Sequence, residues 1–169
     1  MIFKALAMAA AVTVAFSNPE SETGHRYRLI AAPAGVTEVG FVDASSVVRK
    51  STGASYWWLV VYQPPAALKS GPRVVYQLRQ RTADCVQRRT RDSVVVAHLE
   101  NGDDRWLSLI GRSRPARAGS VAESELAFVC EGKLMEPGAR PFESIDEAMR
   151  FVAAAHNSAG RAVPPSTDR

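Results

Sequence analysis

The sequence predicts an α+β fold: an antiparallel β-sheet of about six strands, a C-terminal helix packed on it, and an extra C-terminal helix beyond. Three observations carry this prediction. Short segments rich in β-branched and aromatic residues, separated by turn signals, fill residues 27–110. Their connections are of hairpin length, whereas parallel pairing needs long crossovers. After residue 119 the apolar period changes from two to about 3.6, and a capping box stands before each helical stretch.

Residues 27–31 (YRLIA) are the first strand, stopped by Pro33 and Gly35. Residues 37–43 (TEVGFVD) are the second and lead into a single helical turn over residues 44–48 capped by Asp43. Ser51, Thr52 and Gly53 make a turn. Residues 56–62 (YWWLVVY) form the strongest strand, and their near-continuous apolarity predicts burial on both faces and a central position. Trp57 and Trp58 point to opposite faces, so one of them belongs to the core. Residues 63–72, with three prolines and a glycine, read as a loop.

Residues 74–82 then alternate. Val74, Tyr76, Leu78 and Gln80 lie on one side and Val75, Gln77, Arg79 and Arg81 on the other, a half-buried strand with a basic outer face. The chain turns at residues 83–86 and returns as a long strand over 87–99. Asn101-Gly102 is a hairpin-type signal, lengthened by the acids that follow, and residues 106–110 (WLSLI) close the series. Ser120 and Glu123 then box the start of a helix over residues 121–130, with Leu126, Val129 and Cys130 on one stripe and Gly132 as the stop. Ser144 and Glu147 open a second helix whose Ile145, Ala148, Met149 and Val152 share one face.

With 169 residues, 46% apolar and 22% charged, the chain is long enough for one domain and too apolar for wholesale disorder. It divides into residues 1–17, residues 18–132 as the main domain, a helical extension over 133–156 and a disordered tail over 157–169. Lys4, the apolar run of residues 5–16 and small Ala15 and Ser17 predict a secretory signal peptide, with an uncleaved interfacial helix as the other reading. No cysteine follows the apolar run, so no acyl anchor is expected. The predicted product is exported without a membrane-spanning segment, to the periplasm, the cell surface or the medium.

Cys85 and Cys130 are the only cysteines. In an exported chain an even pair reads as a disulfide, against two unpaired buried thiols as the other reading. The bridge would close a loop of roughly 45 residues, worth ~4 kcal/mol in the chain-entropy estimate. His25, His98 and His156 stand far apart and match no ligand spacing, so neither a metal nor a cofactor is expected. No G-x-S-x-G elbow, phosphate loop, dinucleotide fingerprint or C-x-x-C pair occurs, and no enzymatic activity is expected.

The formal charge of +4 is too small to imply nucleic acid, yet residues 73–117 hold ten arginines against five acids. Arg79 and Arg81 share a strand side, and Arg88, Arg89 and Arg91 lie across the turn. Pairing of the two strands would bring these guanidinium groups to one patch suited to sulfate, phosphate or carboxylate. A charged face that keeps the sheet soluble is the alternative.

In order along the chain stand Phe41-Val42-Asp43 with Ser46-Val47, the aromatic strand of residues 56–62, Tyr76 with Arg79 and Arg81, the D-C-x-x-R-x-x-R run from Asp84 to Arg91, and a helix ending at Cys130. This ordered set resembles the bacterial surface-adhesin protein E-like family. The resemblance implies an exported antiparallel sheet with a C-terminal helix and a Cys85–Cys130 disulfide. It also implies binding to host matrix or serum proteins, as in a member that binds laminin, vitronectin and plasminogen, and a capacity to form homodimers. Residues 131–169 extend past the family domain.

Overall fold

The computed structural model describes residues 24–31, 37–107, 111–134 and 138–160. The expected signal peptide at 1–17, residues 108–110 of the last expected strand and residues 161–169 of the expected tail lie outside the described residues.

The expected α+β architecture is present. Strands β1 (Tyr27–Ala31), β2 (Glu38–Asp43), β4 (Gly53–Ala66), β5 (Val74–Asp84), β6 (Arg89–Leu99) and β7 (Asp104–Leu107) form one antiparallel sheet in the order β1-β2-β4-β5-β6-β7. Two short strands, β3 (Val48–Arg49) and β8 (Arg114–Pro115), pair with β4 and β6. The helical turn after β2 is 3-10 and spans Ala44–Ser46, with the Asp43 side chain accepting the Ser45 N–H as expected of its cap.

β4 is central, between β2 and β5, and it runs four residues beyond Tyr62 into the expected loop. The ladder with β5 breaks between Val61 and Ala66, and Pro64 and Pro65 fall in that break, where no strand donor is needed. β4 buries both sides, as its apolarity predicted: Tyr56, Trp58 and Val60 face one way, Leu59 and Val61 the other. Trp58 is the buried one of the tryptophan pair, and Gly40 on β2 makes room for it. A Cβ at Gly40 would lie 2.2 Å from the Trp58 ring.

The helices α1 (Val121–Glu131) and α2 (Ile145–Gly160) cover opposite faces. Leu126, Phe128 and Val129 of α1 pack with Ile30, Val42, Tyr56 and Trp58. Ala148 and Val152 of α2 are buried among Phe41, Leu59, Val61 and Leu78. The second helix therefore closes the same sheet rather than standing apart, and it continues past His156 to Gly160.

Both helices start alike: Ser120 Oγ accepts the Glu123 N–H at 3.3 Å and Ser144 Oγ accepts the Glu147 N–H at 3.1 Å. In each, the glutamate reaches back to the N–H preceding the serine, Gly119 or Glu143. Gly132 ends α1 in the left-handed region at φ 73°, its N–H meeting the Phe128 carbonyl. Between the helices the chain crosses the β1 edge, where Tyr27 and Phe142 exchange backbone hydrogen bonds of 2.8 and 3.0 Å.

Candidate functional site

The side of β5 that carries Arg79 and Arg81 is not an open basic face, because α1 lies over it. Arg81, only 13% exposed, sits opposite Asp92 of β6 and directs Nη1 to Glu125 of α1, 2.8 Å from Oε2 and 2.9 Å from Oε1. Its Nε donates to Asp92, and its guanidinium lies 4.8 Å over the Trp58 ring. The Tyr56 hydroxyl donates to Glu125 Oε1. Glu125 is 1% exposed and was not among the sequence candidates.

Desolvation sets the protonation behaviour here. Burial pushes the Glu125 carboxyl above the usual carboxylate range, and Arg81 works against that push. Burial also raises the Tyr56 phenol, and the Glu125 charge raises it further. For Arg81 burial pulls downward, but Glu125 and Asp92 hold the guanidinium above its ordinary value. Each polar group in this network has a partner, so its chemistry is positional: it fixes α1 on the sheet. Beside it opens a cleft of about 230 Å³ whose lining includes Trp58, Arg79, Thr90 and Arg114. Arg79 donates to Gln77 Oε1 at 2.7 Å and to the Tyr62 hydroxyl at 3.2 Å.

The remaining sequence candidates lie elsewhere, and the five arginines do not converge on one patch. Asp84 accepts the N–H groups of Val86 and Gln87 and so turns the chain, with Arg88 at φ 50° closing the turn. Arg88 Nη1 pairs with Glu131 at 2.9 Å, at the C-terminal end of α1. Thr90 is buried on the α1 side of β6, so alternation sends Arg89 and Arg91 to the opposite side. Arg91 is exposed, and Arg89 Nε is buried without a partner.

Cys85 and Cys130 are joined, with Cα atoms 5.8 Å apart, which staples the end of α1 to the β5–β6 turn. The same helix end is held by Arg49, whose Nε donates to the Val129 carbonyl at 2.8 Å and whose Nη2 donates to that of Phe128 at 3.1 Å.

The pairing of β6 with β8 adds residues that the sequence candidates omitted. It brings the segment around Arg114 beside Thr90 and Arg89 and leaves Arg112, Arg114 and Arg117 exposed. Their only sequence signal was the arginine excess over residues 73–117. His98 stacks on Tyr76 at 4.6 Å and its Nδ1 lies 2.9 Å from Asp104, while His25 Nδ1 lies 2.7 Å from buried Asp43. Among the described residues no three His, Cys, Asp or Glu side chains are grouped to hold a metal, and no helix is long and apolar enough to cross a membrane. No protein-family model, no curated protein and no solved structure matched this chain.

Proposed function

We propose that this chain is an exported, non-enzymatic binding module of the surface-adhesin protein E-like kind, with host matrix or serum proteins as ligands. The observation that carries the reading is the Cys85–Cys130 bond between the β5–β6 turn and α1. A structural disulfide belongs to an oxidising compartment, which is where the expected signal peptide would deliver the chain. The same pairing is the one the resemblance implies.

Arg79 and Arg81 are engaged beneath α1, which favours the other basic groups as the binding surface. Exposed Arg91 and half-buried Arg89, whose Nη2 donates to the Ser113 carbonyl, remain for a ligand together with Arg112, Arg114 and Arg117 on and around β8. Self-association into a homodimer belongs to the same reading, and light scattering after size exclusion checks it.

The test joins location to binding. Protease shaving of intact cells should remove the protein, and the purified chain should bind immobilised laminin, vitronectin or plasminogen saturably but not albumin, more weakly as salt rises. Protection in intact cells, with release on osmotic shock and no matrix binding, would instead assign a periplasmic envelope-associated structural role.

A further inference from the structure

We propose that the edge formed by β6 and β8 is a docking surface for a linear acidic polysaccharide. The inference rests on the proposed export, since acidic glycans are the abundant extended polyanions outside the cytoplasm. Residues 88–91 and 111–119 together contain six arginines and no acid, and the β6–β8 pairing lays the two segments side by side. Gly111 N–H donates to the Asp92 carbonyl at 3.0 Å and Ala116 N–H to that of Arg88 at 2.9 Å, so the two segments stay together beyond the short strand.

Glu38 shares the cleft with Arg114, and Glu123 is held by the Gly119 N–H as the α1 cap, while the other acids beside the segments are committed to cations. Asp92 is bound by Arg81, and Glu131 is shared by Arg88 and Lys133. Among the described residues, Arg89, Arg91, Arg112, Arg114 and Arg117 have no acidic partner. Like charges held this close repel one another, and a polyanion relieves that repulsion.

The shape selects an extended polymer over a compact anion. The arginines of the second segment are spread along it rather than clustered, with Arg112 before β8, Arg114 on it and Arg117 after it. Arg114 lines the cleft on the α1 side, whereas Arg89 and Arg91 lie on the other side of β6. The groups therefore flank the rim from both sides instead of converging at a single point. A chain lying along the rim meets both rows.

All six cations are arginines. Their planar donors pair in bidentate fashion with sulfate and carboxylate, which suits sulfated and uronate sugars better than lysine would.

The test uses the full chain in its oxidised form and measures retention and affinity at two salt concentrations. The probes are heparin, alginate, double-stranded DNA and polyglutamate. The expected result is binding to heparin and alginate that weakens with salt and falls at least tenfold in the triple variant Arg112→Ala, Arg114→Ala, Arg117→Ala. A control triple of exposed arginines away from this edge, Arg26→Ala, Arg73→Ala, Arg150→Ala, should bind like the parent, and thermal melts should show both variants folded. Equal loss in the two triples would reduce the effect to net charge and overturn the proposal. So would absence of polysaccharide binding, or tighter binding of DNA or polyglutamate than of either glycan. Matrix-protein binding and cell-surface location are scored separately: if they persist while glycan binding fails, only this inference falls. If they fail while glycan binding holds, only the adhesin reading falls.

Discussion

Beneath α2 the sheet presents Phe41, Leu59, Val61 and Leu78 to Ala148 and Val152, all of them apolar, whereas beneath α1 it presents Tyr56, Trp58 and Arg81 to a buried Glu125. The α2 face is closed by area. Such contact is non-directional, and a 16-residue helix with one apolar face suffices for it. The α1 face is closed by directed bonds. Its 11-residue helix is fixed by the carboxylate–guanidinium–phenol network, the disulfide and the Arg49 hydrogen bonds to its last carbonyls. The basic rim of β6 and β8 borders that second face, so the better-positioned helix stands beside the proposed binding surface.

Truncation should separate the two faces most strongly. Glu125→Ala leaves buried Arg81 with Asp92 as its remaining carboxylate and Nη1 without a partner, and should cost about 3–5 kcal/mol in urea unfolding. The combined change Tyr56→Phe, Arg81→Met, Asp92→Asn, Glu125→Leu should recover most of that loss, because it removes the charges of the network together. On the α2 face Phe41→Ala should cost a comparable ~3–5 kcal/mol through its cavity, and no polar replacement nearby should rescue it.

The next effect belongs to the α1 face alone. Cys85→Ala with Cys130→Ala should lower stability by about 2–4 kcal/mol, and reduction of the parent should match it. Gly40→Ala comes after that. Its methyl meets the Trp58 ring, and overpacking of about 1–3 kcal/mol should accompany a changed Trp58 fluorescence.

The helix caps give a smaller, symmetrical effect. Ser120→Ala and Ser144→Ala should each cost about 1 kcal/mol by the same loss of an N-terminal acceptor.

Acid titration gives the least. The Glu143 N–H, followed by Arg140, holds the Glu147 carboxyl below its ordinary 4.5, and Lys133 and Arg88 do the same for Glu131. Both groups bind protons more weakly when folded, so their stabilisation is present above pH 4.5 and is lost as pH falls through the lowered values. Glu147→Gln with Glu131→Gln should flatten the acid limb of the Tm curve slightly.

What was legible in the sequence follows the same division. Period-two and period-3.6 patterns fixed the strands, the α2 face and both caps, because those depend on local spacing. The helix stripe of Leu126 and Val129 was visible too. Glu125, directly before Leu126 and four residues before Val129, lies on that stripe, and an acid there calls for a buried cation that only the tertiary pairing supplies. For the same reason Arg79 and Arg81 read as an outer face: alternation assigns a side to a residue but does not say what covers that side. The strand β8 escaped because two residues carry no period. The arginines on and around it joined those of β6 only through a ladder between segments about 25 positions apart, a distance at which spacing carries no register signal.

The most direct test of the central claim is a thiol count on this chain isolated from its own cells, denatured without reductant and with alkylation at lysis. The account predicts no free thiol, because an exported chain would carry the Cys85–Cys130 bond. Two free thiols per chain would place the protein in a reducing compartment and contradict both the export and the binding role built on it.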